Sequence, residues 1–454
     1  MKLLQEFQNR YNNITYSLFE LESGAKLIHL LNPATVNFDF RLMHKAGNIY
    51  EDQTKVQHGT AHLLEHLLTG PNSTFKTKES IHKYEEGNDK KPALMTNAHT
   101  GYKCLTFDGF THEDGTERFL YRIESEIEFS KDKISKELAN ERKIVIAERS
   151  RQPQTEKDPF LQRLIYLQGK ELKALTYNRI GEITQIPNIS IDDLELFFNN
   201  RIIGGIPLFS IQSRKLPSKS VIKTIENICK RYSMKFLEDI PNPKLNNKLD
   251  IGYYYDDKAT GTVLELNYFD KIEPGIDYAK EAKRGILNSM IRRAAFEILR
   301  EQMGIVYGSE SFIENWYTIG HDIKGLKFVV DNTRFGEILD KLDAFIFTDI
   351  EKFISSTKGD RWLKHIISKY IFPNTIEYDQ NLPYEVGMDY WETGTIYNHN
   401  LYTEEVQKLT QDQVIEHLHE LQKTPPHIWV ESNLPEEEIT KTVKQSNLWK
   451  RYSK

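Results

Sequence analysis

One short apolar segment, residues 58–71 (HGTAHLLEHLLTGP), limits what this chain can fold into more than any other. Its leucines are spaced for the buried face of a helix, and a Gly-Pro pair ends that helix. The same segment carries His62, Glu65 and His66. Burying two imidazoles and a carboxylate is costly unless partners compensate them. The fold must therefore supply polar partners to this helix from elsewhere in the chain.

The spacing of these three polar residues indicates a metal site. Residues three and four positions apart lie on one face of a helix, so His62, Glu65 and His66 project together. Two neutral imidazoles at this spacing are good zinc ligands, and the Glu between them can hold a water, as in the inverted zincin pattern H-x-x-E-H. The alternative is an exposed polar face, which the surrounding leucines disfavour. A catalytic zinc also needs a third protein ligand and one open position.

The segment NERKIVIAERS, residues 140–150, offers two candidates for the third ligand. Glu141 and Glu148 are seven residues apart, about two helical turns, and so share one face. Ile and Val residues lie between them, and an acidic pair on an apolar helix favours a cation. The alternative is a solvated charged face. The spacing alone does not choose between the two glutamates.

Composition describes a globular protein and excludes some function classes. The 454 residues are 39% hydrophobic and 28% charged, with a net charge of -6, which argues against a nucleic-acid partner. Cys104 and Cys229 cannot form a disulfide framework, so we expect a reducing compartment. The sequence has no apolar run long enough for a membrane helix, and its first residues lack the apolar core of a signal peptide. We therefore expect a cytoplasmic protein without membrane contact.

The order of predicted elements divides the chain into two similar halves. Residues 237–250 (LEDIPNPKLNNKLD) hold two prolines and three asparagines, and we interpret them as a linker. Residues 1–236 and 251–454 then each run from strands through helices to further strands, although no sequence identity between the halves is visible. The predicted fold class is α+β, with two homologous domains, each an antiparallel-rich sheet flanked by helices.

AHLLEH followed by ERKIVIAE resembles the pitrilysin and insulysin superfamily of zinc peptidases. Within it the chain is similar to the short branch that includes mitochondrial processing peptidase and its dimeric bacterial relatives. The resemblance implies one zinc per chain, with Glu148 as the third ligand, Glu141 as a supporting acid and Glu65 as general base. It also implies that Asn97 and Ala98, in the segment between the two motifs, bind substrate.

A second motif of the same superfamily is matched by LREQMGIVYGSES, which contains Arg300 and Tyr307. The resemblance implies that this pair grips the substrate. Gly304 between them is expected to end a helix in a left-handed conformation. Because the chain carries both motifs, it also implies a homodimer in which the Arg-Tyr pair acts across the interface.

The expected activity is that of a zinc metalloendopeptidase which hydrolyses extended, unfolded peptides in a chamber. Two alternatives stay open at this point. One is a non-catalytic, peptide-binding or scaffold subunit. The other is a processing peptidase dedicated to one peptide and dependent on a partner subunit.

Overall fold

The computed structural model describes residues 1–168, 177–239, 248–271, 275–316, 321–372 and 381–453. The chain forms two compact units. The first comprises Met1–Lys157, Leu172–Pro241 and Ile376–Asn398, and the second comprises Asp158–Glu171, Asn242–Thr375 and His399–Lys454. Each unit is built mainly from one half of the sequence and takes one segment from the other half. The division into domains at 237–250 stays a prediction, and residues 240–247 of that segment lie outside the described residues.

Twelve strands are defined among the described residues. In chain order they are β1 (Lys2–Gln8), β2 (Thr15–Glu20), β3 (Lys26–Leu31), β4 (Asn37–His44), β5 (Leu94–Thr100), β6 (Leu105–His112), β7 (Leu208–Ser213), β8 (Asp250–Tyr255), β9 (Thr262–Lys271), β10 (Val306–Trp316), β11 (His321–Val330) and β12 (His427–Ser432).

The same described residues form seventeen α-helices. They are α1 (Glu51–Thr54), α2 (Thr60–Thr69), α3 (Lys78–Glu85), α4 (Thr116–Glu126), α5 (Lys131–Arg149), α6 (Pro159–Gln168), α7 (Ile191–Phe197), α8 (Lys219–Cys229), α9 (Tyr278–Ala295), α10 (Phe335–Ala344), α11 (Ile350–Ser355), α12 (Thr357–Ile371), α13 (Leu382–Thr393), α14 (His399–Gln407), α15 (Gln411–Leu421), α16 (Glu436–Gln445) and α17 (Asn447–Tyr452). Three π-helical segments continue α7, α9 and α10, namely Phe198–Ile202, Phe296–Gln302 and Phe345–Asp349.

The two sheets share one strand topology. The first unit has a seven-stranded sheet in the order β1-β2-β3-β7-β4-β6-β5, and the second has a five-stranded sheet in the order β10-β11-β9-β12-β8. Reversing the second order aligns β8 to β12 with β3 to β7 one by one. The single parallel pair is also equivalent, because β3 pairs with β7 as β8 pairs with β12. The predicted fold of two homologous α+β domains is therefore confirmed, and the first unit adds the strands β1 and β2.

Local sequence signals account for much of this pattern. Strands β2 and β3 pair antiparallel across Ser23-Gly24, where Gly24 has a φ of +90° that favours glycine. The helix predicted over the H-x-x-E-H segment is α2. Two further helices, α4 and α5, follow β6 and are separated by a break at residues 127–130. Strand β1 was not predicted, because its exposed residues carry little apolar alternation.

One helix from the second half of the sequence belongs to the core of the first unit. Val386 of α13 and Ile396 just after it pack in one buried cluster with Met43 and Leu208 of the sheet. Gly387 makes this approach close, since a Cβ there would lie 2.5 Å from the sulfur of Met43. The cluster joins residues far apart in sequence, so no local pattern indicates it.

Arg122 of α4 fastens the C-terminal end of α2 inside the first unit. Its buried guanidinium donates to the carbonyl of Thr69 at 2.9 Å and to Glu85 at 2.8 Å. Its Nη1 atom also lies 2.9 Å from an oxygen of the buried Glu126. The last turn of α2 is thereby fixed to two neighbouring helices. None of the helices in the described part of the chain is both long and apolar enough to cross a membrane.

Glu126 gives the first unit a predicted pH dependence. Burial raises the pKa of this carboxyl from 4.5 to about 8, although Arg122 opposes the shift. Between these values the folded state binds more protons than the unfolded state, so stability falls as the pH rises. We expect Glu126→Gln, which resembles the protonated form, to change little near pH 5 and to raise the free energy of unfolding near pH 9 by on the order of 2 kcal/mol.

The measurement is urea unfolding of both proteins across this pH range. Glu117→Gln is the matched control, because Glu117 lies exposed on the same helix. It is expected to leave the pH dependence of the wild type unchanged. A Glu126→Gln protein that keeps the wild-type decline in stability would contradict the assignment.

Candidate metal centre

The N-terminal end of helix α2 is held by hydrogen bonds in the interior of the first unit. The buried carboxylate of Glu51 accepts hydrogen bonds from the backbone N–H of Gly59 at 3.1 Å and of Ala61 at 2.8 Å. A negative charge at this end of a helix is stabilising. Burial nevertheless raises the pKa of Glu51. The backbone turns into α2 at Gly59, whose φ is +94°.

The three predicted zinc ligands converge in the structure. The Nε2 atoms of His62 and His66 lie 3.3 Å and 3.5 Å from the same oxygen of Glu148, Oε2. Ligand atoms of all three residues lie within 4.8 Å of one another, and among the described residues they form a candidate metal group. Two ligand atoms about 2.1 Å from one tetrahedral zinc are about 3.4 Å apart. The donor set and these separations therefore fit zinc.

Glu141 lies behind His66 and separates the roles of the two glutamates on α5. Its Oε2 lies 3.4 Å from Nδ1 of His66, on the opposite side of the ring from Glu148. Lys78 of α3 donates to the other oxygen at 2.7 Å. Burial alone would raise the pKa of Glu141, but His66 and Lys78 lower it below its usual value. An ionised Glu141 can thus orient the His66 ring with Nε2 directed to the site.

Glu65 lies beside the ligands as a buried carboxylate. Its Oε2 is 3.4 Å from Nδ1 of His62 and accepts a hydrogen bond from the hydroxyl of Thr100 at 2.8 Å. Burial would raise the pKa of Glu65, but these two contacts lower it. Burial likewise opposes protonation of His62, yet the carboxylates of Glu65 and Glu148 raise its pKa. Glu65 is therefore ionised and able to accept a proton.

The predicted substrate-binding residues Asn97 and Ala98 lie on β5, next to α2. This strand is the last one in the order of the first sheet and pairs only with β6 among the described residues. Asn97 is exposed, while Ala98 is buried. The outer edge of β5 therefore offers backbone groups to which an extended peptide can add as a further strand.

Arg300 and Tyr307 lie in the second unit. Arg300 is in the π-helical segment after α9, where its guanidinium carbon is 5.4 Å from the centroid of the Phe296 ring. Tyr307 is on β10, with two thirds of its surface exposed. Gly304 between them has a φ of +60°, as expected for a left-handed helix end. A role for this pair at the metal centre stays a prediction.

Sequence reasoning missed several residues of the site. The sequence does not predict the hydrogen bond from Thr100 to Glu65, because it joins residues on a strand and a helix that are far apart in the chain. Lys78 and Glu51 gave no sequence signal, because a lysine on an exposed helix and an acid in a loop are common. His58, which could have lain near the metal, instead contacts Glu51 at 3.4 Å and stacks on Tyr177.

Gly59 provides a test of how far the site depends on the start of α2. A Cβ at Gly59 would lie 2.7 Å from the carbonyl oxygen of Ile180 and 3.0 Å from the Cα of Gly181. Gly24 has a similar φ of +90° but open space around it. We expect both alanine variants to lose about 1 kcal/mol through backbone strain. Only Gly59→Ala should also weaken zinc binding, by roughly ten-fold, because the clash displaces His62.

The two glycine variants are compared by urea unfolding and by competitive zinc titration. Equal zinc affinities for Gly59→Ala and Gly24→Ala would show that the start of α2 does not position the ligands.

Comparison with known proteins finds likeness at the level of structure. No family model matches the chain, and no curated protein matches it significantly. The first half of the periplasmic protease PqqL from Escherichia coli has a TM-score of 0.74 at 16% identity, over 99% of this chain and 98% of that one. Pitrilysin has a TM-score of 0.73 at 14% identity, over 95% of this chain and 47% of that one. A peptidase M16 inactive domain from Pseudomonas fluorescens has a TM-score of 0.70 at 16% identity, over 92% and 98% of the two chains.

These structural neighbours differ from this chain in length. The chain spans about half of the full-length PqqL and pitrilysin structures. The neighbours include proteases and a domain described as inactive, so the likeness concerns the fold. The resemblance seen in the H-x-x-E-H segment is confirmed at that level, and the chain has the fold of the pitrilysin, or M16, peptidases.

Proposed function

We propose that this chain is a zinc metalloendopeptidase acting on extended, unfolded peptides. The observation that carries the proposal is the convergence of His62, His66 and Glu148, with the ionised Glu65 next to them. Each group that hydrolysis by a zinc peptidase requires is present, namely three ligands and a base.

The chain's own residues would divide the chemistry as follows. His62, His66 and Glu148 would hold the zinc, which when bound supplies a Lewis acid and lowers the pKa of a water molecule. Glu65 would take a proton from the attacking water and later deliver it to the leaving amine. Thr100 would keep the Glu65 carboxylate in place through its 2.8 Å hydrogen bond.

The substrate is proposed to bind as an additional strand on the outer edge of β5, beside Asn97 and Ala98. Binding through backbone groups supports broad specificity. Arg300 and Tyr307 are proposed to grip the substrate or the tetrahedral intermediate. Following the resemblance, these two would come from the second copy in a homodimer, and a monodisperse monomer with full activity would refute that arrangement. A cytoplasmic location is proposed because both cysteines are free.

Two other functions are weighed against this one. A non-catalytic or scaffold subunit is suggested by the inactive domain from Pseudomonas fluorescens, which has a similar fold. Against it, neither a ligand nor the base is missing here. A peptidase dedicated to one precursor, with a partner subunit, would keep the same residues and differ in its substrate.

The first experiment measures hydrolysis of a quenched mixed-peptide library together with bound zinc. We expect the wild type to cleave peptides and Glu65→Gln to lose at least about a hundred-fold in rate while it retains zinc. Glu148→Gln should lose zinc itself, because it removes a charged ligand. Glu137→Gln, on the same helix, is the matched control and should retain both properties.

Each other outcome selects an alternative. Zinc bound without hydrolysis in any of these proteins would favour the dedicated or partner-dependent peptidase. A wild type that takes up no zinc when supplied with it would favour the scaffold subunit.

Thr100 has a matched neighbour that tests its role. Thr96 lies on the same strand and also donates its hydroxyl to a carboxylate, that of Glu85, at 2.7 Å. We expect Thr100→Val to lower kcat by roughly ten-fold and to raise the pKa seen in the acid limb of the kcat/KM profile, because Glu65 loses a hydrogen bond to its charged form. Thr96→Val should leave the pKa of the acid limb unchanged. If the role of Thr100 is only structural, Thr100→Val should also leave this pKa unchanged.

A further inference from the structure

His99 forms a charged cluster that the catalytic chemistry does not use. It lies on β5, and Nε2 of its ring is 3.4 Å from Oδ1 of Asp108 on β6. The other oxygen of Asp108 is 3.4 Å from Nε of Arg41 on β4. Asn97 places its amide nitrogen 3.3 Å from the same Nε2. Three neighbouring strands therefore contribute one charged side chain each.

The cluster is buried at one end and open at the other. The side chains of Asp108 and Arg41 are only 9% and 8% exposed, whereas that of His99 is 59% exposed. The neighbouring carboxylate of Asp108 raises the pKa of His99. With His99 protonated, the cluster has two cations and one anion. A protonated His99 would make the exposed end of the cluster positive, in a chain with a net charge of -6.

The register places this positive end next to the catalytic groups. Thr100, whose hydroxyl donates to Glu65, follows His99 directly in β5. Successive residues of a strand point to opposite faces of the sheet. Asn97 and Arg41 each pair with Asp108 across neighbouring strands, so these three side chains lie on one face of the sheet. His99 is two residues after Asn97 in β5 and therefore lies on the same face. A peptide strand added to β5 would present alternate side chains to His99, which is one residue along β5 from Thr100 and its contact with Glu65.

We propose that His99, held by Asp108, is a specificity-determining residue that binds an acidic side chain of the peptide substrate near the scissile bond. The proposal rests on the proposed peptidase function and goes beyond it, because backbone pairing alone would accept any side chain. Both contacts of the ring described above are made by Nε2, so Nδ1 of the imidazolium remains to donate to a substrate carboxylate.

The test uses internally quenched peptides that differ only in having Asp, Asn or Lys at one position, with one set of three for each position flanking the cleavage site. At one position the wild type should prefer Asp by about five-fold in kcat/KM, the size expected of an exposed ion pair. His99→Gln should remove this preference, and His99→Glu should replace it with a preference for Lys over Asp. Circular dichroism and zinc content should stay as in the wild type, since His99 is exposed.

A second exposed histidine serves as the matched control. His112 lies at the far end of β6 and pairs with Asp114 at 3.2 Å. His112→Gln should leave the Asp preference intact. If His112→Gln and His99→Gln changed the preference equally, the effect would be one of net charge and the proposal would fail.

Binding without turnover separates this proposal from the proposed function. Fluorescence anisotropy of the same labelled peptides is measured on Glu65→Gln, with and without His99→Glu. If no protein hydrolyses any peptide, the proposed broad peptidase activity of the chain fails. Tighter binding of the Asp peptide that reverses in His99→Glu would still support the role of His99. Equal affinity for Asp and Asn peptides, or the absence of peptide binding, would overturn it.

Discussion

The first unit depends on the compensation of charge along one buried helix. His62 and Glu65 of α2 are each less than 10% exposed, and an unpaired polar group in such a place costs several kcal/mol. Partners come from elements before and after α2 in the sequence. Glu51 accepts hydrogen bonds from the first N–H groups of α2, and Arg122 donates to its last carbonyl. Side chains of α5 and β5 contact its imidazoles and its carboxylate. The same contacts that make burial of α2 tolerable also bring the Nε2 atoms of His62 and His66 close to one oxygen of Glu148.

The repeated strand topology explains where such a site can form. In both units the equivalent strands β5 and β10 end their sheet, and each follows a helical region. A sheet edge has unpaired backbone groups, so it can bind an extended chain without a preformed pocket. Only the first unit places two histidines and a glutamate on the helix beside this edge. In the second unit the helical segment before β10 carries arginines instead. The same strand topology therefore presents a helix with histidines and a glutamate beside the sheet edge in the first unit, and a helical segment with arginines in the second.

The sequence predicted those parts of the site that depend on local spacing, and it failed where contacts are long-range. The i, i+3, i+4 pattern of His62, Glu65 and His66 was enough to predict α2 and its common face. The choice between Glu141 and Glu148 was beyond spacing, since both share one face of α5. The interatomic distances distinguish the two glutamates. Glu148 lies next to the Nε2 atoms of the histidines, whereas Glu141 lies next to Nδ1 of His66. The packing of α13 in the first unit joins residues more than 300 positions apart, and no periodic pattern encodes such a contact.

Under the proposed function, the alternation of side chains along β5 would separate the catalytic contacts from those that select the substrate. Thr100 faces Glu65 on the side of α2, whereas His99 faces Asp108 on the other side of the sheet. A single added peptide strand meets both faces at once, since its own side chains also alternate. The backbone of the peptide would then set the position of the scissile bond, and a side chain on the far face would set the preference. On this proposal, changes at His99 would alter which peptides are favoured without moving the candidate zinc ligands, because the two sets of contacts share the strand and no side chain.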